Sequence, residues 1–188
     1  MPSRDNTSIR TLNSIRRLCL CAMLLGAAML LSYLESILPL TLWLPLPGFK
    51  LGLPNVLITA IFVVLSPRDA ACISLCRILL MGLLFGNAVS LLFSLCGGLL
   101  AYAGLWLLAR LGQRYFSMIG ISVGCAALHN VGQMLAAGVL FGMGVVRSYL
   151  PWLLLSSLIF GSVTGILLHL LVPRLGRIFH TFVRGGNT

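Results

Sequence analysis

Four ionisable side chains, Glu35, Lys50, Arg77 and His129, lie within or beside long apolar runs. Such groups are costly inside a bilayer, so each needs either a partner or a task. Arg77 shares a helix face with Ser74 and Met81, about 10 Å from the start of its run at about 1.5 Å per residue. Its guanidinium either pairs with Glu35, caps the carbonyls of a broken helix, or anchors a carboxylate or phosphate, whose oxygens match its planar fork of donors. Further on, "SVGCAALHNVGQ" puts Ser122, Cys125, His129 and Gln133 on one stripe of a helix, with Asn130 beside it. Side chains of this kind at mid-membrane depth either tie helices together or line a cavity. Glu35, with Ser32 and Ser36, closes the first apolar run, and Lys50 opens the second, just before Pro54 and Asn55. The two charges either neutralise each other or line the mouth of an outward-facing pocket. Pro54 and Asn55 loosen the helix that follows, and irregular backbone in a membrane is tolerated only against protein or a water-filled cavity.

Catalysis finds little support. Asp5, Glu35 and Asp69 are the acidic residues, and there is no paired carboxylate site, HExxH, Walker loop or nucleophile with an evident base. Six cysteines fall in apolar segments without a CxxC pair, and Cys72 and Cys76 have no histidine or carboxylate at ligand spacing. We expect no enzyme, no metal and no cofactor.

The elements that position these residues follow from composition. Only 9% of the 188 residues are charged and 59% are hydrophobic, whereas a soluble domain carries about 25% charged residues. The chain is therefore expected to sit in a lipid bilayer. Its net charge of +10 comes from arginines spaced singly or in pairs, which marks topology rather than a nucleic-acid surface. The apolar runs predict six helical spans near 18–38, 52–66, 70–86, 88–109, 117–142 and 149–172, joined by short connections. A basic segment over 1–17, a six-helix domain over 18–172 and a basic tail over 173–188 result. Ten arginines fall at one set of helix ends and Lys50 and Arg147 at the other, so both termini are expected in the cytoplasm, in an inner-membrane protein. The outer segment from Pro39 to Phe49 is stiffened by prolines and would serve as a lid or a plain cap. Small residues recur four apart at Ala22 with Gly26, Ala28 with Ser32, Gly82 with Gly86, Gly120 with Gly124, Gly138 with Gly142, and Gly161 with Gly165, positions that allow close helix approach either within the bundle or at a docking surface for another membrane protein.

"LSYLESILP" leading into "FKLGLPN", then "CRILLMGLLFGN", "SLLFSLCGGLLAY" and "LHNVGQ" resemble the bacterial membrane proteins known as Gx transporters or heptaprenyl diphosphate synthase component I, over roughly residues 18–172. That family is similar to the substrate-binding S components of energy-coupling factor importers. The resemblance implies an all-α, compact six-helix polytopic bundle with both termini inside. It also implies binding of a vitamin, flavin or related anionic small molecule from the outer side, and docking on a transmembrane coupling subunit driven by ATPases. The S components meet that subunit through an AxxxA pattern on the first helix, and the nearest match here is Ala22 and Gly26. The candidate substrate-binding set is Glu35, Lys50, Asn55, Arg77, His129, Asn130 and Gln133. The alternative is a non-catalytic membrane subunit of prenyl diphosphate synthesis or of a membrane redox or assembly complex. A catalytic prenyl synthase needs DDxxD motifs, which two aspartates 64 positions apart do not make.

Overall fold

The computed structural model describes residues 4–37, 51–111 and 116–184, with side chains placed from 14 to 177 within those ranges. They form α1 (Arg4–Ile37), α2 (Leu53–Val64), α3 (Pro67–Leu84), α4 (Ala88–Leu111), α5 (Met118–Phe141) and α6 (Met143–Arg184). Among the described residues every regular element is helical. Lys50 and the Pro39–Phe49 segment lie outside them. The expected boundaries at 17/18 and 172/173 are not breaks in secondary structure, because α1 and α6 run through them.

Four segments are long and apolar enough to cross a membrane: Ser14–Ile37, Ala88–Leu111, Met118–Phe141 and Met143–Arg177. The chain is thus a multi-pass membrane protein, and its outward apolar side chains agree: Val139 is 86% exposed and Leu83 is 74% exposed. Surfaces of that kind are stable against lipid but not against water. The other two helices depart from the expected pattern of equivalent spans. α3 carries Arg68, Asp69 and Arg77 within 18 residues. α2 has 12 residues, about 18 Å at about 1.5 Å per residue, well short of a hydrocarbon core of about 30 Å.

Packing explains why so short a helix is stable. α2 lies between α1 and α3 on one side and α6 on the other. Leu57, Ile58 and Ile61 join Leu20, Leu24 and Ala28 of α1 and Ala70 and Ile73 of α3 in one apolar cluster. Val56 and Ala60 pack with Leu168 of α6 in a second. Ala60 and Ile61 have no exposed surface at all. With α3 against α4, α4 against α5, and α5 against α6, the helices close a ring in which α2 joins the two ends.

Three helix starts satisfy an orphan N–H group with a local side chain, which matters in lipid. Ser66 caps α3, accepting from the Asp69 N–H at 3.3 Å. Asn87 accepts from Ser90 N–H at 2.8 Å ahead of α4, and Ser117 accepts from Gly120 N–H at 3.1 Å ahead of α5. Asp69 also accepts from Arg17 of α1 at 2.6 Å, tying α1 to the start of α3. The break expected over "GMGVVRS" shrinks to Gly142, whose φ of 89° favours glycine and lets α6 begin at Met143.

Glycines set the helix spacing. A side chain on Gly132 of α5 would strike the backbone of Cys96 and Gly97 in α4, and one on Gly161 or Gly165 of α6 would strike Val123 or Ile119 in α5. The glycines at 161 and 165 therefore serve internal packing. Ala22 and Gly26 differ: both lie on an exposed face of α1, and a Cβ at Gly26 would meet nothing within 4 Å. Gly132→Ala is accordingly expected to destabilise the bundle by about 1–3 kcal/mol through overpacking. Gly26→Ala should be neutral or stabilising by up to about 1 kcal/mol. Thermal melts of the two detergent-purified variants check this, and equal losses would contradict the α4–α5 contact.

Candidate substrate cavity

A cavity of about 230 Å³ lies at the centre of the ring and is lined by residues from all six helices. Glu35, Asn55, Arg77, His129 and Asn130 all face it. The structure thus brings together five residues drawn from α1, α2, α3 and α5. Gln133 is not among the lining residues. It is buried one turn beyond His129 and packs over Gly97, where an added Cβ would come within 2.9 Å of its Cγ. The polar stripe continues past the cavity into the α4–α5 contact, so a shared helix face does not guarantee a shared site.

Arg77 is the centre of the α1–α2–α3 wall. The residue is 8% exposed. Its guanidinium donates to Ser32 Oγ of α1 at 3.2 Å and to Asn55 Oδ1 of α2 at 3.4 Å. Ser32 Oγ in turn donates to Ala28 O at 2.8 Å, which leaves its lone pairs for the arginine. Arg77 also interacts electrostatically with Glu35. Arg77 thus braces its neighbours through side-chain hydrogen bonds rather than by capping helix carbonyls; Nη1 and Nη2 each use one of their two N–H groups in these bonds, while Nε is buried without a hydrogen-bond partner among the described residues. A guanidinium with an unused N–H on a cavity wall suits a planar anionic acceptor.

Glu35 has a local task as well. α2 starts at Gly52, whose φ of 79° is left-handed and which has no side chain to cap the helix. The Glu35 carboxylate supplies the cap from α1, accepting the Gly52 N–H at 2.6 Å. Pro54 at the second helical position lacks an N–H and so leaves one fewer orphan. The arrangement lets the short helix start beside the cavity: Gly52, Pro54 and Asn55 all line it.

The α5–α6 wall was only half visible in the sequence. Ser122, Cys125, His129 and Asn130 on α5 line the cavity, facing Ser156, Ser157, Phe160 and Thr164 of α6. Asn130 Nδ2 donates to Leu153 O at 2.9 Å and to Ser157 Oγ at 2.8 Å, and Ser122 and Thr164 share a hydrogen bond of 2.9 Å. These bonds stitch α5 to α6 as polar groups do within lipid. The α6 hydroxyls were missed, although Ser157, Gly161, Thr164 and Leu168 follow the i, i+4, i+7, i+11 pattern of one helix face. Cys125 is a buried free thiol packed with Leu105 and Ile121, and no group of three or more potential metal ligands occurs among the described residues.

Glu35→Ala would leave the Gly52 N–H without its acceptor, an expected loss of about 1–3 kcal/mol. Glu35→Gln keeps an acceptor oxygen and should retain most of the stability. Melting temperatures of both variants decide the matter: equal losses would mean that the charge facing Arg77, rather than the cap, is what counts.

A family model for heptaprenyl diphosphate synthase component I matches residues 24–171. No curated protein and no solved structure matches the chain. The matched stretch contains every residue found to line the cavity, from Ser32 to Leu168. The chain is a membrane protein that belongs to the heptaprenyl diphosphate synthase component I family.

Proposed function

We propose that this chain is the substrate-binding membrane subunit of a small-molecule transporter, binding an anionic, vitamin-, flavin- or cofactor-like compound and performing no chemistry on it. The observation that carries this reading is the cavity itself: a pocket lined by residues of all six helices, among them the Arg77 guanidinium and several hydroxyl and amide side chains. A polar cavity inside an otherwise apolar bundle is what substrate sites in membrane transporters require. The chain has no nucleotide-binding loop, so movement of the substrate is driven by a partner, a transmembrane coupling subunit with its ATPases. The bundle sits in the inner membrane with both termini in the cytoplasm and the cavity opening outward, an S-component-like arrangement in which α2 and α3 span together with the four longer helices. The exposed Ala22–Gly26 face of α1 is the docking surface for the coupling subunit.

The family description favours a second reading, a non-catalytic membrane subunit of prenyl diphosphate synthesis. Cavity size speaks against a prenyl chain as the occupant. At about 30 Å³ for a water-sized group, the pocket holds about seven or eight such groups, whereas a heptaprenyl chain has about 35 carbons. In the second reading the chain therefore acts through a partner surface.

Native mass spectrometry of the gently extracted protein separates the readings, because it reports ligand and partners together. The expected result is a small anionic molecule on the wild type, with ATPase and coupling subunits co-purifying. Gly26→Leu, at an exposed position where an added Cβ meets nothing within 4 Å, should keep the ligand and lose the coupling subunit. Co-purification of a prenyl synthase catalytic subunit with an unoccupied pocket would support the second reading instead.

A further inference from the structure

The two walls of the cavity have opposite hydrogen-bonding character, and this defines the ligand more narrowly than charge alone. On the α1–α2–α3 side Arg77 supplies donors: Nη1 and Nη2 each spend one N–H on Ser32 and Asn55 and carry a second. On the α5–α6 side the hydroxyls have acceptors close by in the helix backbone. Ser156 and Ser157 lie 2.7 and 2.8 Å from Leu153 O and compete for it with Asn130 Nδ2, and Thr164 donates to Phe160 O at 2.8 Å. With the Thr164 proton so placed, Ser122 is the donor of the bond between them. Asn130 directs its Nδ2 at Leu153 O and Ser157 Oγ, which leaves its carbonyl oxygen for the cavity. A serine or threonine oxygen that has donated its proton still offers lone pairs. Apart from the imidazole of His129 and whichever serine proton Leu153 O does not take, this wall chiefly accepts hydrogen bonds.

We propose that the cavity takes a small monocarboxylate that carries hydrogen-bond donors, amino or hydroxyl, at the end remote from its carboxylate. The carboxylate lies against Arg77, and the donors lie against Ser156, Ser157, Thr164 and Asn130. A single guanidinium matches one carboxylate. Glu35, on the same wall and within electrostatic reach of Arg77, opposes any anion there, and a phosphate or diphosphate more strongly than a monocarboxylate. The volume of about 230 Å³ sets the scale at on the order of ten non-hydrogen atoms, allowing roughly 20–30 Å³ for each. The proposal rests on the cavity being a substrate site.

The test is a binding titration of the full-length protein in lipid nanodiscs, read by calorimetry and thermal shift. Three matched sets serve as probes: 4-aminobenzoate, 4-hydroxybenzoate and 5-aminovalerate, each with its amide and with the acid lacking the donor, alongside inorganic phosphate and farnesyl diphosphate. The expected result is that a donor-bearing acid binds at least about tenfold more tightly than both its amide and its donor-less acid, a difference of about 1.4 kcal/mol for each contrast. Because these comparisons use the wild type, they do not depend on any variant folding. Arg77→Gln should then erase the acid-over-amide preference. Thr164→Val, close to isosteric, should weaken the preference for the donor while leaving the acid-over-amide contrast in place.

If an amide binds as well as its acid, or phosphate or farnesyl diphosphate binds more tightly than every acid, the assignment of ligand class is overturned while the binding-subunit reading stands. If no probe binds and no small molecule co-purifies with the protein, both fall together.

Discussion

A guanidinium buried in a lipid-embedded bundle cannot fall back on water, so its surroundings must be built to hold it. Arg77 draws on three helices at once: its own α3, Ser32 of α1 and Asn55 of α2. Glu35, which balances it electrostatically, also caps α2 through Gly52. The same few polar atoms therefore position the shortest helix and fix how α1, α2 and α3 meet. Truncation of any one of them leaves another buried polar group without its partner, which is the expensive outcome in a low-dielectric interior.

The opposite half of the bundle is held by a different device. α4, α5 and α6 approach closely because Gly132, Gly161 and Gly165 let one backbone touch the next. Hydrogen bonds from Asn130 and Ser122 then hold α5 and α6 in register. Dispersion contacts between close backbones replace the hydrophobic drive that lipid removes. The cavity lies where these two halves face each other, one side organised by charge and the other by small residues and hydroxyls. Gly142 joins α5 to α6 in a single residue, so those two helices form a hairpin with almost no slack.

Much of this was legible in the sequence, for identifiable reasons. A charge or amide in an apolar run is conspicuous, and Glu35, Asn55, Arg77, His129 and Asn130 do converge on one cavity. Helix existence was legible because apolar runs in lipid leave the backbone few alternatives. Other features were not. The short helix α2 depends on burial by three neighbours, which no local pattern encodes. Gln133 shares a stripe with His129, yet the stripe outruns the cavity and meets Gly97. The hydroxyls of α6 were overlooked because serine and threonine are common in apolar helices, where they bond to their own backbone. Their accepting character emerges only once each proton is assigned a carbonyl.

The solid packing of α2 beyond Thr59 bears on permeation. Ala60 and Ile61 have no exposed surface, and Leu168 of α6 closes against Ala60 and Val56. A solute resting beside Asn55 and Thr59 thus faces a plug of aliphatic side chains rather than a second vestibule. The described bundle is a cup and not a pore. Passage of any solute past α2 would require that helix to separate from α1, α3 or α6, so transit would proceed one molecule per conformational cycle, at the pace of helix rearrangement rather than of diffusion.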